Sequence, residues 1–405
     1  MDRIKKQQLK KPLLLWLQGG PGKSSLFGQF LENGPLGINA SGGLYYRNHS
    51  LTEEFNVVYL DQPVGSGFSF DERKEYPSTL DEATTHVMRF LRRLLRLFPE
   101  FYGRSFYIAG ESYGARSAIA IAQRVLTRNF WQLPLRLKGV MLGVGFLFPL
   151  LELINSTDYL YYSGLLDDYG QSLFAKRFDH IQGLVKAKNY TLAAALLSQT
   201  VLNLRSGKNA SLFQNLTGFK HHGSIIRPDR PPEVIEYMKY ANSEDFKKII
   251  HVNTSRQLDG TRMAIATQLA VGDFFVDHNE TLLSVINNRH ALLYTAQLDA
   301  VFPAVNIERC FENLDWRGKK HFKEAKRTFW HRDGNSSLEV LGYEKRAGAV
   351  MFNTVLAAGH YVSFDQSPAI SYLYSRFLNF TKMKPPDASK DASPSATDNV
   401  SRCIE

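Results

Sequence analysis

Phe106-Tyr107-Ile108-Ala109-Gly110-Glu111-Ser112-Tyr113-Gly114-Ala115 is the stretch on which the fold turns. An apolar run suited to a strand leads into Gly-X-Ser-X-Gly, and a helix-forming run, Ala118–Leu126, follows. The flanking glycines permit a turn too sharp for side chains, which leaves the serine hydroxyl exposed at the edge of a sheet. Gly-X-Ser-X-Gly alone is common. Its strand–turn–helix setting makes a nucleophile elbow, with Ser112 at the tip, the reading here.

Working outward, short apolar runs bounded by Gly, Pro or Asp alternate with helical patterns, which favours an α/β fold with a mostly parallel sheet. The expected strands are Leu13–Leu17, Asn56–Leu60, Phe106–Ala109, Gly139–Leu142, Ala291–Thr295 and Val350–Leu356. A helix between the second and third has readable ends: Thr79-Leu80-Asp81-Glu82 is a capping box and Phe98-Pro99 a stop. Val87, Phe90, Leu91, Leu94, Leu97 and Phe98 form its expected inner stripe, with Arg89, Arg92, Arg93 and Arg96 on a solvated face. Strand signals fade from Phe148 to Asn288, where Asp158–Leu165, Asp179–Leu197 and Glu244–Val252 look helical. The expected organisation is a sheet domain (1–147 and 289–381), a helical cap inserted at 148–288, and a disordered tail over 382–405.

An elbow serine is a weak nucleophile without a general base, and the base needs an orienting carboxylate. Asp299 lies just past the expected strand Ala291–Thr295, and His360 follows the last strand on a Gly-containing loop. Ser112, Asp299 and His360 thus fall in the chain order that such an elbow predicts. An oxyanion hole needs two backbone N–H groups: Tyr113 supplies one, and Gly20 in Gln18-Gly19-Gly20-Pro21-Gly22 offers the second. Gly22-Lys23-Ser24 resembles the end of a phosphate-binding loop, but Leu17 stands where that loop needs its first glycine. His221-His222 lacks a third ligand at zinc spacing and reads as a surface pair. No metal and no cofactor is called for.

The composition bounds the function. The chain has 405 residues, 44% hydrophobic and 12% aromatic, which is ample for a large core and excludes a mainly disordered chain. No apolar run reaches the roughly 18–20 residues of a membrane span. The net charge of +10 comes from interspersed charges with no nucleic-acid-binding signature, so it is a surface property. Two cysteines, Cys310 and Cys403, cannot build a disulfide framework and suggest a reducing compartment. Eleven of 21 asparagines say otherwise. Asn39, Asn48, Asn155, Asn189, Asn209, Asn215, Asn253, Asn279, Asn335, Asn379 and Asn399 all stand in Asn-X-Ser/Thr, where chance predicts roughly two or three. That excess points to a glycosylated protein of the secretory route. The N-terminus, Met1-Asp2-Arg3-Ile4-Lys5-Lys6, has no signal-peptide core, so the true N-terminus is expected to lie upstream.

Together these motifs resemble the serine carboxypeptidases, most closely their vitellogenic-like branch. The matches are Leu15-Trp16-Leu17-Gln18-Gly19-Gly20-Pro21-Gly22, Asp61-Gln62-Pro63-Val64-Gly65-Ser66-Gly67-Phe68-Ser69-Phe70, Gly110-Glu111-Ser112-Tyr113, Gln297-Leu298-Asp299, and Gly359-His360 with Asp365-Gln366. The resemblance runs from Pro12 to Phe377. It implies an α/β-hydrolase core with a helical cap, whose N-terminal strands are missing from this chain. It also implies release of single residues from peptide C-termini through an acyl-enzyme, in lysosomal or secreted compartments. Peptide C-termini are then the expected partners, with a homodimer expected by analogy alone. By the same resemblance Gln18, Glu32 and Glu111 bind the substrate's terminal carboxylate. Two carboxyls held close cannot both ionise easily, so one keeps a proton and can donate it to the anion, favouring acid pH.

The sequence departs from the family pattern in several places. Gly114-Ala115 replaces Ala-Gly, Arg116 and Ser117 stand for a Lys or His and a Tyr, and Lys23 for a Cys or small residue. Val144 stands for Asn or Asp, Ser363 for a Pro after His360, and the usual disulfide cysteines are missing. Two other readings keep the fold: an acyltransferase, against which the retained Gln18, Glu32 and Glu111 weigh, and a catalytically weak or inactive binding or protective protein.

Overall fold

The computed structural model of the chain describes residues 10–127, 133–202, 210–331 and 339–383. The expected disordered tail therefore lies outside the described residues, apart from Lys382 and Met383.

An eight-stranded sheet runs in the order β4-β1-β5-β6-β7-β10-β9-β8. Its strands are β1 (Leu13–Leu17), β4 (Asn56–Tyr59), β5 (Ser105–Glu111), β6 (Arg136–Gly143), β7 (His290–Ala296), β8 (Thr328–Trp330), β9 (Gly342–Ala347) and β10 (Val350–Val355). The six strands from β4 to β10 pair in parallel. β9 and β8 add an antiparallel edge that the sequence reading lacked. So does a separate hairpin, β2 (Leu36–Ile38) and β3 (Leu44–Tyr46).

The expected strands read as continuous apolar runs because both sheet faces are buried. Leu13, Leu15, Leu17, Phe106, Ile108, Val140 and Leu293 enter one core, while Leu14, Trp16, Tyr107, Ala109, Met141 and Leu292 enter the other. The period-2 alternation thus sorts apolar residues between two interiors rather than between core and water.

Helix α1 (Leu80–Leu97) has the expected ends. Thr79 Oγ1 accepts from Glu82 N–H at 3.2 Å, and the helix stops at Phe98. Only half of the capping box forms: Glu82 turns its carboxylate to Ser78 N–H at 2.8 Å. The inner stripe is also rotated. Leu80, Ala83, Val87, Met88, Leu91 and Leu95 are buried, whereas Leu97 is 75% exposed and Phe98 45%. Leu94 still packs on the core, and Phe98 meets the ring of Phe101, with centroids 6.5 Å apart. All four arginines face solvent.

Helix α2 (Tyr113–Leu126) follows β5 directly, and every residue from Tyr113 to Ala122 is buried. Between β6 and β7 the described residues form helices and loops but no strand. These include Asp168–Lys186 and Tyr190–Leu197, which the sequence reading had joined and which Lys188, at φ 57°, separates. Among the described residues, no helix is long and apolar enough to cross a membrane.

Two glycines set how closely α2 approaches the sheet. A Cβ on Gly110 would overlap Gly114 O, and one on Gly114 would overlap Leu17 O. Neither obstacle is a movable side chain. Ala115 is different: its methyl lies beside Gly145, where a Cβ would come within 3.0 Å of it. Gly114→Ala should therefore cost about 3 kcal/mol or more through backbone displacement. Ala115→Gly should cost about 1 kcal/mol, the ordinary helix penalty. Urea denaturation of the two variants checks this order, and equal losses would contradict the packing account.

Candidate active site

Ser112 takes φ 56° and ψ −124°, a conformation that an L side chain rarely adopts. Its backbone is held on both sides: Ser112 N–H donates to Gly143 O at 2.9 Å, and Phe146 N–H to Ser112 O at 3.0 Å. The loop after β1 comes close above it. A Cβ on Gly19 would lie 2.8 Å from Ser112 Cβ and 3.1 Å from Tyr113 N, so only glycine allows that approach. This brings Gly20 and the Tyr113 N–H to the same side of the elbow.

Asp61, from the second quoted motif, anchors that loop. Its Oδ1 accepts from Ser24 Oγ at 2.6 Å and Ser25 N–H at 2.8 Å, while Oδ2 accepts from Phe68 N–H at 2.8 Å. Ser25 Oγ in turn donates to Leu60 O and receives Gln18 N–H. Burial pushes the Asp61 carboxyl up, and these donors offset part of that rise.

Asp299 is fully buried, and its Oδ1 accepts the N–H groups of Val301 and Phe302 at 2.8 and 3.1 Å. Its Oδ2 lies 2.8 Å from His360 Nδ1. The loops carrying the two residues are laced together, with Leu298 N–H on Ala358 O and Ala357 N–H on Gln297 Oε1. Asp365 completes the arrangement, accepting Gly359 N–H at 2.8 Å and pairing with Arg227. Ser112 and His360 line one cavity of about 290 Å³.

Glu32 and Glu111 meet behind this cavity, 0% and 2% exposed. Glu32 sits on the π-helical turn Gly28–Asn33, and a Cβ on Gly28 would overlap Trp16 Nε1. Trp16 Nε1 also donates to Gln18 Oε1 at 3.1 Å, which orients the amide. Glu111 Oε1 accepts from Tyr294 Oη at 2.8 Å. If both carboxyls were ionised, both Glu32 oxygens and Glu111 Oε2 would be buried without a donor. One proton between them removes that penalty. Burial, then the Glu111 charge, pushes Glu32 well above the ordinary value of 4.5, and burial raises Glu111 as well.

His221 and His222 are not surface residues, contrary to the sequence reading. Both line the cavity, and His221 is 5% exposed. Gly223 O accepts His360 N–H at 2.7 Å, and Ile225 N–H donates to Leu298 O, so this segment runs beside the loops that carry Asp299 and His360. Burial pushes the two imidazoles down to about 2 and 3, which keeps them neutral. Among the described residues no cluster of His, Cys, Asp and Glu could hold a metal ion. The aromatic walls, among them Phe27, Tyr237 and Tyr361, also escaped the sequence reading. Their signal is only tertiary: they come from three distant segments that share a core.

The region between β6 and β7 grips the elbow through a buried cluster. Tyr113 Oη donates to Asp273 Oδ2 at 2.8 Å, Arg116 Nη1 lies 3.1 Å from the same oxygen, and His278 Nε2 lies 2.8 Å from Oδ1. Burial alone would raise the Asp273 carboxyl, but bonds from His278, Arg116 and Tyr113 bring it below its ordinary value.

A sequence model of the family described as serine carboxypeptidase matches residues 3–380 of this chain. The chain belongs to the serine carboxypeptidase family. It is 30% identical to the human protein "Probable serine carboxypeptidase CPVL" over 369 residues, 91% of this chain and 76% of that protein. It is 33% identical to the honeybee "Venom serine carboxypeptidase" over 379 residues, again 91% of this chain and 78% of that protein. Its fold is similar to that of the yeast prohormone-processing carboxypeptidase Kex1Δp, with a TM-score of 0.75 at 20% identity. That match covers 92% of this chain and 84% of the other.

Membership of the family puts the departures in context. Arg116 is absorbed in the Asp273 cluster with its guanidinium 3.9 Å from the Phe146 ring centroid. Ser363, in place of proline, is buried and points its hydroxyl at Glu111 Oε1 from 3.4 Å. Val144 holds φ 38°, a value that suits the Asn or Asp of the family pattern better than a β-branched residue. Cys310 is free, and burial with the nearby Glu152 pushes its thiol up to about 12.

The Glu32–Glu111 proton has a consequence for stability. The folded chain keeps a proton that the unfolded chain releases above about 4.5, the ordinary value for glutamate. Stability from this pair is therefore greatest at acid pH and declines as pH rises through the raised value. Glu32→Gln, which carries a permanent N–H donor, should flatten that decline. Thermal unfolding of both proteins between pH 4.5 and 7.5 checks it; parallel curves would contradict a shared proton.

Proposed function

We propose that this chain releases C-terminal residues from peptides by acyl transfer, with Ser112 as nucleophile, His360 as acid and base, and Asp299 as its orienting carboxylate. The observation that carries this reading is one cavity lined by Ser112 and His360 and also by Gln18 and the buried carboxyl Glu111.

Ser112 Oγ attacks the last peptide carbonyl while His360 Nε2 takes its proton. Asp299 keeps the imidazole in the tautomer with Nδ1–H and stabilises the imidazolium. The N–H groups of Gly20 and Tyr113 hold the developing oxyanion. His360 then protonates the leaving amine, and water releases the acyl group by the reverse sequence. Glu32, protonated against Glu111, donates to the free α-carboxylate together with the Gln18 amide. That requirement restricts cleavage to the chain end, because an internal peptide brings an amide where the site expects an anion. The segment 148–288 acts as a cap that walls the site.

The route is secretory. Of the eight described sequon asparagines, seven are exposed and Asn279 is half-buried. Asn209, Asn335 and Asn399 lie outside the described residues. The honeybee relative is a venom protein by name. This favours a lysosomal or secreted glycoprotein acting in an acidic compartment.

Purified protein should hydrolyse an N-blocked dipeptide and be labelled stoichiometrically at Ser112 by an active-site phosphonate. Ser112→Ala should abolish both, and Asp299→Asn should lower kcat about 10³–10⁴-fold while still binding product. An unlabelled Ser112 in folded protein would instead favour the inactive binding protein. Separately, KM should rise as pH climbs from acid to neutral, because loss of the shared proton replaces a donor with a repelling charge. A KM constant over that range would remove Glu32 and Glu111 from carboxylate recognition.

A further inference from the structure

Lys23 is half-buried in the wall of the cavity. Its ammonium stands 3.9 Å from the ring centroid of Phe27 and 4.6 Å from that of Tyr361, and it donates to Tyr361 Oη at 3.2 Å. These contacts fix the cation but do not neutralise it. Among the described residues no carboxylate lies within ion-pair distance of Lys23. Arg230, exposed on the same cavity, has no such partner either. An ammonium taken partly out of water retains unmet donors and an uncompensated charge, a cost that an arriving anion would relieve.

The α-carboxylate of a substrate is not that anion on the reading above. It is met by Glu32 and Gln18, which sense the cation only at a distance: Lys23 lowers Glu32 by its charge without bonding to it. The neutral His221 and His222 beside Lys23 add hydrogen-bonding capacity but no competing charge. His221 Nε2 lies 3.3 Å from the Tyr361 Oη that receives the Lys23 donor, so an anion bound there enters an existing polar chain. Two unpaired cations and a flanking aromatic wall match a side chain with a short apolar stem and a terminal carboxylate.

We propose that Lys23, with Arg230 at the rim, forms an anion subsite for the side chain of the released residue, so that peptides ending in Glu or Asp are preferred. This rests on the carboxypeptidase reading and adds the substrate class. Lys23 here determines specificity; it takes no part in the covalent step.

The experiment measures kcat/KM for a pair of N-blocked dipeptides that differ only in ending with Glu or Gln, together with one ending in Leu. Wild-type protein should favour Glu over Gln about tenfold, the effect of one charge-assisted hydrogen bond. Lys23→Met keeps the apolar stem and should erase that ratio, and Lys23→Glu should invert it in favour of the Gln-ending peptide. Phosphonate labelling of Ser112 reports whether each variant is folded. An equal fall for all peptides would overturn the proposal, since Lys23 would then serve the α-carboxylate. So would a wild-type enzyme indifferent to Glu and Gln. Turnover of none of the peptides, with Ser112 unlabelled, would instead overturn the carboxypeptidase reading on which the subsite depends.

Discussion

Backbone meets backbone at the turn between β5 and α2, with no side chain between. Gly110 faces the Gly114 carbonyl and Gly114 faces that of Leu17, so α2, β5 and the neighbouring β1 meet at two close contacts. Ser112, at the join between that strand and that helix, holds positive φ. Its strain is carried by bonds to Gly143 and Phe146 and by a helix buried along its first ten residues. Every later feature of the site takes its position from this turn.

The Asp299 and His360 side chains sit on loops that the sheet delivers and that other segments clamp. Asp61 ties down the glycine loop, Asp365 ties down the turn before His360, and both do so through backbone N–H groups. Such contacts explain why residues with no part in bond-breaking recur in the quoted motifs. The region between β6 and β7 adds a second set of clamps. Gly223 O holds His360 N–H, and Asp273 holds the Tyr113 hydroxyl directly beneath the elbow. Motion of that region would be felt at both His360 and Tyr113.

Electrostatics divides the cavity into two regimes. Behind the nucleophile, burial makes charge expensive, and two carboxyls share a proton rather than ionise together. Nearer solvent, the Lys23 side chain lies against the faces of Phe27 and Tyr361, with no carboxylate among the described residues in ion-pair distance. On the proposed reading, these two regimes would receive two different anions, the substrate's α-carboxylate and a side-chain carboxylate.

Local sequence determined the strands of the parallel sheet, the elbow and the order of Ser112, Asp299 and His360. Each of these depends on short-range rules: apolar runs, glycines at a tight turn, residues just past a strand end. The two antiparallel edge strands escaped because β9, Gly342–Ala347, carries Glu344, Lys345 and Arg346 and reads as polar until Glu308 and Glu312 pair with Lys345. Glu32 was reachable only by resemblance, since nothing near it in sequence shows that it will face Glu111. Tertiary structure alone decided that His221 and His222 turn inward, that Arg116 is spent on Asp273, and that Lys23 lines the cavity with no carboxylate partner among the described residues. The reason is physical: burial and charge pairing depend on what arrives from distant segments, and no local pattern encodes the neighbour that folding brings.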